Sequence, residues 1–200
     1  RHNMCSDSAN LSRIPLDDEG ARWMASRTFC RVPETLKTLD LSSGTCSPIG
    51  YGLLKPLTRL DYPMQLPRLE NLDLSNNTLN ATAIAMLACA IARDDHCLNR
   101  LRRLNLCNTG LDSNGLTTLA CVFEYWDSLA ALDISSNRWG RQGLEAFMDH
   151  GHHLRGLTTL DLSDVKTIDT PAYIRFAKWL RCDSGWMYIE KVVLNSSRRL

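Results

Sequence analysis

Hydrophobic residues recur along this chain in one phrase. It reads LKTLDLSSG from Leu36, LENLDLSNN from Leu69, LRRLNLCNT from Leu101, LAALDISSN from Leu129, LTTLDLSDV from Leu157 and IEKVVLNSS from Ile189. Every position of the underlying L-x-x-L-x-L pattern is aliphatic, and successive starts lie 33, 32, 28, 28 and 32 residues apart. A worn earlier copy starts near residue 6, with Leu16 and Gly20 standing where Leu79 and Ala83, or Leu111 and Gly115, stand later. Alternation over the L-x-L core predicts a short strand, and the stretch after it spaces its apolar residues as a helix does. Each unit therefore reads as strand, turn, helix, and repeats of this length mark a stacked array.

Side chains at fixed offsets carry the logic of the turn and the wall behind it. Asn77 and Asn137 lie eight residues into their units, where a buried amide can bond the backbone of a chain bending away from the strand. Gly44, Thr109, Val165 and Ser197 hold that slot elsewhere, so a continuous asparagine ladder is not expected. Gly50, Gly115 and Gly143 come fourteen residues in, where a helix packed close to the sheet leaves no room for a side chain. Met24, Leu87, Leu119 and Phe147 share a helix position, and Leu79, Leu111 and Trp139 share another, which makes Trp139 a core residue in a leucine slot. Asp169-Thr170-Pro171 reads as a helix start leading into an apolar stripe of Ile174, Phe176 or Ala177, and Leu180. Trp179 and Trp186 have no evident slot.

No single unit can bury its apolar face, whereas a stack buries a continuous core between strands and helices. Strands repeat about every 4.8 Å and packed helices about every 8–10 Å, so the stack curves with its strands inside. The expected fold is an α/β solenoid: a right-handed horseshoe with parallel strands on the concave face, helices on the convex face, and a single domain over residues 1–200 with about seven units. Seven strands give a concave face roughly 29 Å across, comparable with a standard protein interface.

Residues two, four and six steps after each start should face the hollow. Those chosen as candidate partner-binding residues are Asp40, Asn71, Asp73, Arg103, Asn105, Asp133, Asp161 and Lys191. Neighbouring carboxylates at about 4.8 Å repel by about 1 kcal/mol even in a water-like dielectric, a cost that a basic partner would relieve. The alternative is that Leu-Asp-Leu-Ser is a structural phrase, with Asp and Ser serving as turn residues. Arg100, Arg102 and Arg103 form a small basic cluster that reads first as solvated surface, although arginine is a frequent interface anchor. His150, His152 and His153 read as the polar end of a helix capped by Gly151, ahead of a metal site. Cys107 should be an inert thiol on the concave face.

At 44% hydrophobic and 22% charged, the chain has the composition of a folded protein, and a net charge of +1 gives no reason to expect nucleic acid as a partner. The longest apolar run, residues 81–92, falls well short of the roughly 20 residues of a membrane-crossing helix. The eight cysteines contain no C-x-x-C pair. Sequons begin at Asn10, Asn76, Asn80 and Asn195. No catalytic triad, paired acid and base, or phosphate-cradling loop occurs at a recognisable spacing.

With these motifs the sequence resembles the ribonuclease-inhibitor type of leucine-rich repeat, L-x-x-L-x-L-x-x-N-x-L-x-x-x-G, over essentially its whole length. The resemblance implies a parallel-stranded horseshoe, a cytoplasmic setting with free thiols, and binding through the concave face or its rim. LNLCNTGLDSNGLTTLA, residues 104–120, is similar to the actin-regulatory linkers of this class, in letters that are also consensus for the class. Cys107 stands two residues before the asparagine slot, a departure from true ribonuclease inhibitors that counts against that activity. The expectation is a protein–protein interaction scaffold and not an enzyme, with no cofactor, metal or small-molecule substrate. The alternative is a regulatory or sensing region of a larger signalling protein, such as a GTPase activator, an innate-immune-type receptor or an actin-regulatory linker. The missing initiator Met and the uncovered last strand lead us to expect a fragment with further repeats beyond Leu200.

Overall fold

In the computed structural model, residues 7–13, 35–43, 68–92, 97–165, 168–182, 186 and 188–194 are described. Leu16, Gly20, Met24, Gly44, Gly50, Asn195 and Ser197, singled out above, lie outside them. The strands are β1 (Ser8–Asn10), β2 (Thr38–Asp40), β3 (Asn71–Asp73), β4 (Arg103–Asn105), β5 (Ala131–Asp133), β6 (Thr159–Asp161) and β7 (Lys191–Val193). They form one all-parallel, seven-stranded sheet in sequence order. The register follows the repeat: Leu39, Leu72, Leu104, Leu132, Leu160 and Val192 pair in one file. Ser8 pairs with Thr38, which places the worn first copy in phase with the others.

Between strands run α1 (Ala81–Ile91), α2 (Ser113–Ala120), α3 (Arg141–Gly151) and α4 (Thr170–Cys182). Parallel strands need such crossovers, and from β3 to β7 these helices carry the far wall of the core. Three helix starts are closed by a side chain: Asn80 Oδ1 accepts from Ala83 N at 2.9 Å, Asp112 Oδ1 from Gly115 N at 2.8 Å, and Asp169 Oδ1 from Ala172 N at 2.9 Å. Gly140, before α3, offers no side-chain cap; its N–H donates instead to Ser113 Oγ of the preceding helix at 2.9 Å.

Leu79, Leu87, Leu111, Leu119, Trp139 and Phe147 are all buried, as their shared slots require. Three other expectations change in detail. In α4 the buried stripe is Ala172 and Phe176, while Ile174 is 53% exposed and Ala177 is also exposed, because the helix turns Phe176 and not Ile174 toward α3. A Cβ on Gly115 would meet Leu111 Cδ1 at 2.9 Å, and one on Gly143 would meet Trp139 Cβ at 3.1 Å and Leu116 Cδ2 at 3.3 Å. The crowding at these glycines comes from their own turn and the preceding helix rather than from the sheet. Gly151 does not cap α3: the cap is His152 in right-handed helical conformation, and a Cβ at Gly151 would lie 2.7 Å from Trp179.

The two unplaced tryptophans complete an aromatic cluster at the β7 end of the core. Phe147 lies 5.4 Å from Phe123, 6.4 Å from Phe176, 6.3 Å from Trp179 and 6.0 Å from Trp186, each edge to face. Buried Trp186 donates its Nε1–H to Gly151 O at 2.7 Å, which satisfies a polar atom that burial would otherwise leave unpaired.

Seven residues into each of six units the backbone is left-handed, at Arg13, Ser43, Asn76, Asn108, Ser136 and Asp164, with φ between 52° and 60°. The bend lets the sheet ladder run on past the strand: Ser43 N donates to Ser75 O, Asn76 N to Cys107 O, Asn108 N to Ser135 O and Ser136 N to Ser163 O. Asparagine tolerates this region better than serine. Ser136→Asn is therefore expected to stabilise the chain by about 0.5–1 kcal/mol, raising the thermal midpoint by roughly 1–4 °C in a calorimetric scan. An unchanged or lowered midpoint would count against local backbone strain at this turn.

Candidate functional site

Alternation along each three-residue strand sends the central side chain into the core and its two neighbours to the opposite, open face of the sheet. That face carries seven of the eight candidate residues in one hollow of about 550 Å³: Asp40 on β2, Asn71 and Asp73 on β3, Arg103 and Asn105 on β4, Asp133 on β5 and Asp161 on β6. Lys191 is exposed on β7, outside the hollow. Thr38, Ala131 and Thr159 line it too, in places the same alternation assigns to this face. Val193 ends the acidic file, since it pairs with Asp161.

The carboxylates have a structural task and a surplus. One oxygen of each closes a turn onto the N–H two residues on: Asp40 Oδ1 accepts from Ser42 N at 2.9 Å, Asp73 Oδ1 from Ser75 N at 2.8 Å, Asp133 Oδ1 from Ser135 N at 2.9 Å, and Asp161 Oδ1 from Ser163 N at 2.9 Å. Asn10 and Asn105 close the same turn at 2.9 and 3.0 Å without any charge. The turn thus accounts for an Asp or Asn at this step, but not for the choice of Asp at four of them. Two short side-chain bonds cross the face, from Asn71 Nδ2 to Thr38 Oγ1 at 3.1 Å and from Asn105 Nδ2 to Asp73 Oδ2 at 3.0 Å.

Asp40 pairs in register with Asp73, and Asp133 with Asp161. Among the described residues no basic side chain forms an ion pair with any of the four, and Arg103 forms none either; the ion pairs there join Glu145 to Arg141 at 3.1 Å and to Arg175 at 2.6 Å, on α3 and α4. Burial pushes the Asp133 carboxyl above its ordinary value, with Asp161 and Asp73 adding to the rise and the two bonds from Ser135 opposing it.

An acid whose folded pKa is raised contributes stability that is fully present below its unfolded pKa and is lost as pH rises through the folded one. Asp133→Asn keeps the turn, as Asn105 does, and removes the charge. It is expected to raise the melting temperature at pH 7, with the gain vanishing below the ordinary carboxylate value of 3.8; melting both proteins across that range is the check. A gain independent of pH would refute the electrostatic cause.

Elsewhere the described residues offer no group of three His, Cys, Asp or Glu side chains placed to hold a metal. The His152 and His153 rings sit 4.0 Å apart, and partial burial and His152 together lower the His153 pKa. Cys107 is half-buried and does not line the hollow, and Cys89, Cys121 and Cys182 are exposed free thiols. No described helix is long and apolar enough to cross a membrane.

The chain is an α/β protein of strand, turn and helix units, an arrangement compatible with a leucine-rich repeat protein. No family model matches the sequence, and no curated protein matches it. Among solved structures it is similar to Leiomodin-1 actin-binding site 2, with 16% identity and a TM-score of 0.51. The match covers 60% of this chain and 65% of that one, a little under two thirds of its length. At this identity the likeness concerns the fold alone.

Proposed function

We propose that this chain is a leucine-rich repeat solenoid of the ribonuclease-inhibitor-like type that binds a protein partner through the open face of its sheet, and that it acts by binding, not catalysis. The observation that carries this reading is the file of Asp40, Asp73, Asp133 and Asp161, whose charges exceed what their turns require and find no cation among the described residues. The face is a rigid platform, since its strands are bonded into one ladder and β2 to β6 are backed by buried leucines. A second reading is a regulatory part of a longer actin-associated protein in the cytoplasm. It is favoured by the similarity in fold to a region of Leiomodin-1 that is an actin-binding site.

The test compares wild-type chain with Ala131→Trp, which fills the middle of the hollow without changing charge, and with Lys178→Glu on the exposed face of α4. Each is used to capture proteins from lysate, and each is mixed with purified monomeric actin. Partners lost from the tryptophan variant and kept by the Lys178 variant support the open face, and actin among them supports the second reading. Capture that Ala131→Trp leaves intact would overturn the site, provided its circular dichroism matches wild type.

A further inference from the structure

The charges on the open face have an order as well as a sign. Along the sheet the file runs Asp40, Asp73, Asn105, Asp133, Asp161, so the uncharged Asn105 separates two adjacent pairs of carboxylates. On the same strand as Asn105, Arg103 stands exposed one open-face step earlier, without an ion pair among the described residues. We propose that this face docks an extended protein segment that presents cation, anion, cation on one side, its cations meeting the Asp40–Asp73 and Asp133–Asp161 pairs and its anion meeting Arg103. This rests on the reading of the face as a binding surface, and adds the chemistry of what it binds.

The spacing favours an extended segment. The centres of the two pairs are three strand steps apart, about 14 Å at roughly 4.8 Å each. An extended chain places residues i, i+2 and i+4 on one side, with i and i+4 about 13–14 Å apart. An Arg-x-Glu-x-Arg segment laid across the strands therefore puts a guanidinium on each carboxylate pair and a carboxylate between them. Arg103 lies about 7 Å along β4 from the axis of the file, a distance its own long side chain and that of the glutamate span together. Arginine is the better cation here because its planar fork can engage two carboxylates at once. Charge order of this kind also rejects wrong partners: a uniformly basic segment would set a cation against Arg103.

The full chain is titrated with a synthetic Arg-x-Glu-x-Arg peptide, and with peptides of equal composition ordered Arg-x-Arg-x-Glu, by fluorescence anisotropy at low salt. The ordered peptide is expected to bind about tenfold tighter than the reordered one, and to weaken as salt is added. Asp40→Asn with Asp133→Asn should lower its affinity about tenfold, a loss not attributable to misfolding because Asn105 and Asn10 close the same turn. Arg103→Glu should transfer the preference to Arg-x-Lys-x-Arg. Equal affinity for both orders, an unchanged affinity in the asparagine variant, or no binding of any peptide at about 1 mM would each overturn the proposal. If the peptides fail while Ala131→Trp still loses its captured partners, the face binds by shape without this charge order. If Ala131→Trp loses nothing, the binding surface itself is misassigned.

Discussion

Asn137→Ala is expected to cost about 3–4 kcal/mol and to lower the thermal midpoint by roughly 10 °C. The Asn137 amide is buried and fully engaged. Its Nδ2 donates to Leu106 O at 2.8 Å, Ile134 O at 3.0 Å and Ser135 O at 3.0 Å, while Oδ1 accepts from Thr109 N and Leu111 N, both at 3.0 Å, and from Thr109 Oγ1 at 3.3 Å. One side chain thereby fastens two consecutive units through their backbone groups at the turn. Alanine leaves Thr109 N and Leu111 N without partners, at about 1–3 kcal/mol for each one that water cannot reach, while Leu106 O, Ile134 O and Ser135 O keep the bonds from Thr109 Oγ1, Trp139 Nε1 and Asn108 N. Thr109→Val removes one hydroxyl from the same network and should cost less; it should also couple non-additively with Asn137→Ala, since the two groups share a bond. Chemical denaturation of the two single variants and the double variant measures this. A cost below about 1 kcal/mol for Asn137→Ala would mean that the turn re-forms without its amide.

Phe147→Ala should cost about 3–5 kcal/mol. The ring is completely buried and contacts Phe123 of the preceding unit, Phe176 and Trp179 of α4, and Trp186 beyond it, so its removal opens a cavity against four aromatic neighbours. Contacts in a stack run mainly between adjacent units, and the damage should concentrate on the β7 side. Faster hydrogen exchange in α4 and a red-shifted tryptophan emission are the expected signatures. Phe147→Leu is the informative companion. Leucine fills this slot at Leu87 and Leu119, both fully buried. A cost near zero for Phe147→Leu would show that the aromatic cluster adds nothing beyond filling the slot.

Much of this architecture was legible in the order of residues. The six phrases place strands β2 to β7 in their observed register, and the alternation within them places Asp40, Asn71, Asp73, Arg103, Asn105, Asp133 and Asp161 on one open face, because a period of two in a strand is a local property of the backbone. The buried amides at Asn77 and Asn137 were legible for the same reason, since their offset from the strand is constant. The break expected at Thr109 is only partial: its hydroxyl bonds Leu106 O at 2.9 Å and so replaces half of an amide.

Other features depended on what lies across a unit boundary. Trp186 gains its partners from Gly151 and Phe147, 35 and 39 positions earlier, a separation no periodic pattern contains. The exposure of Ile174 and the need for glycine at position 151 follow from the packing of the Phe176 and Trp179 rings of α4 against α3. Recurrence in the sequence determined the units, their register and the identity of the open face, because hydrophobic periodicity acts over a few residues. Only the tertiary structure decided which oxygen of each aspartate is committed to a turn, which rings close the β7 end of the core, and that Arg103 stands without an ion pair among the described residues, because each depends on distances between side chains of different units.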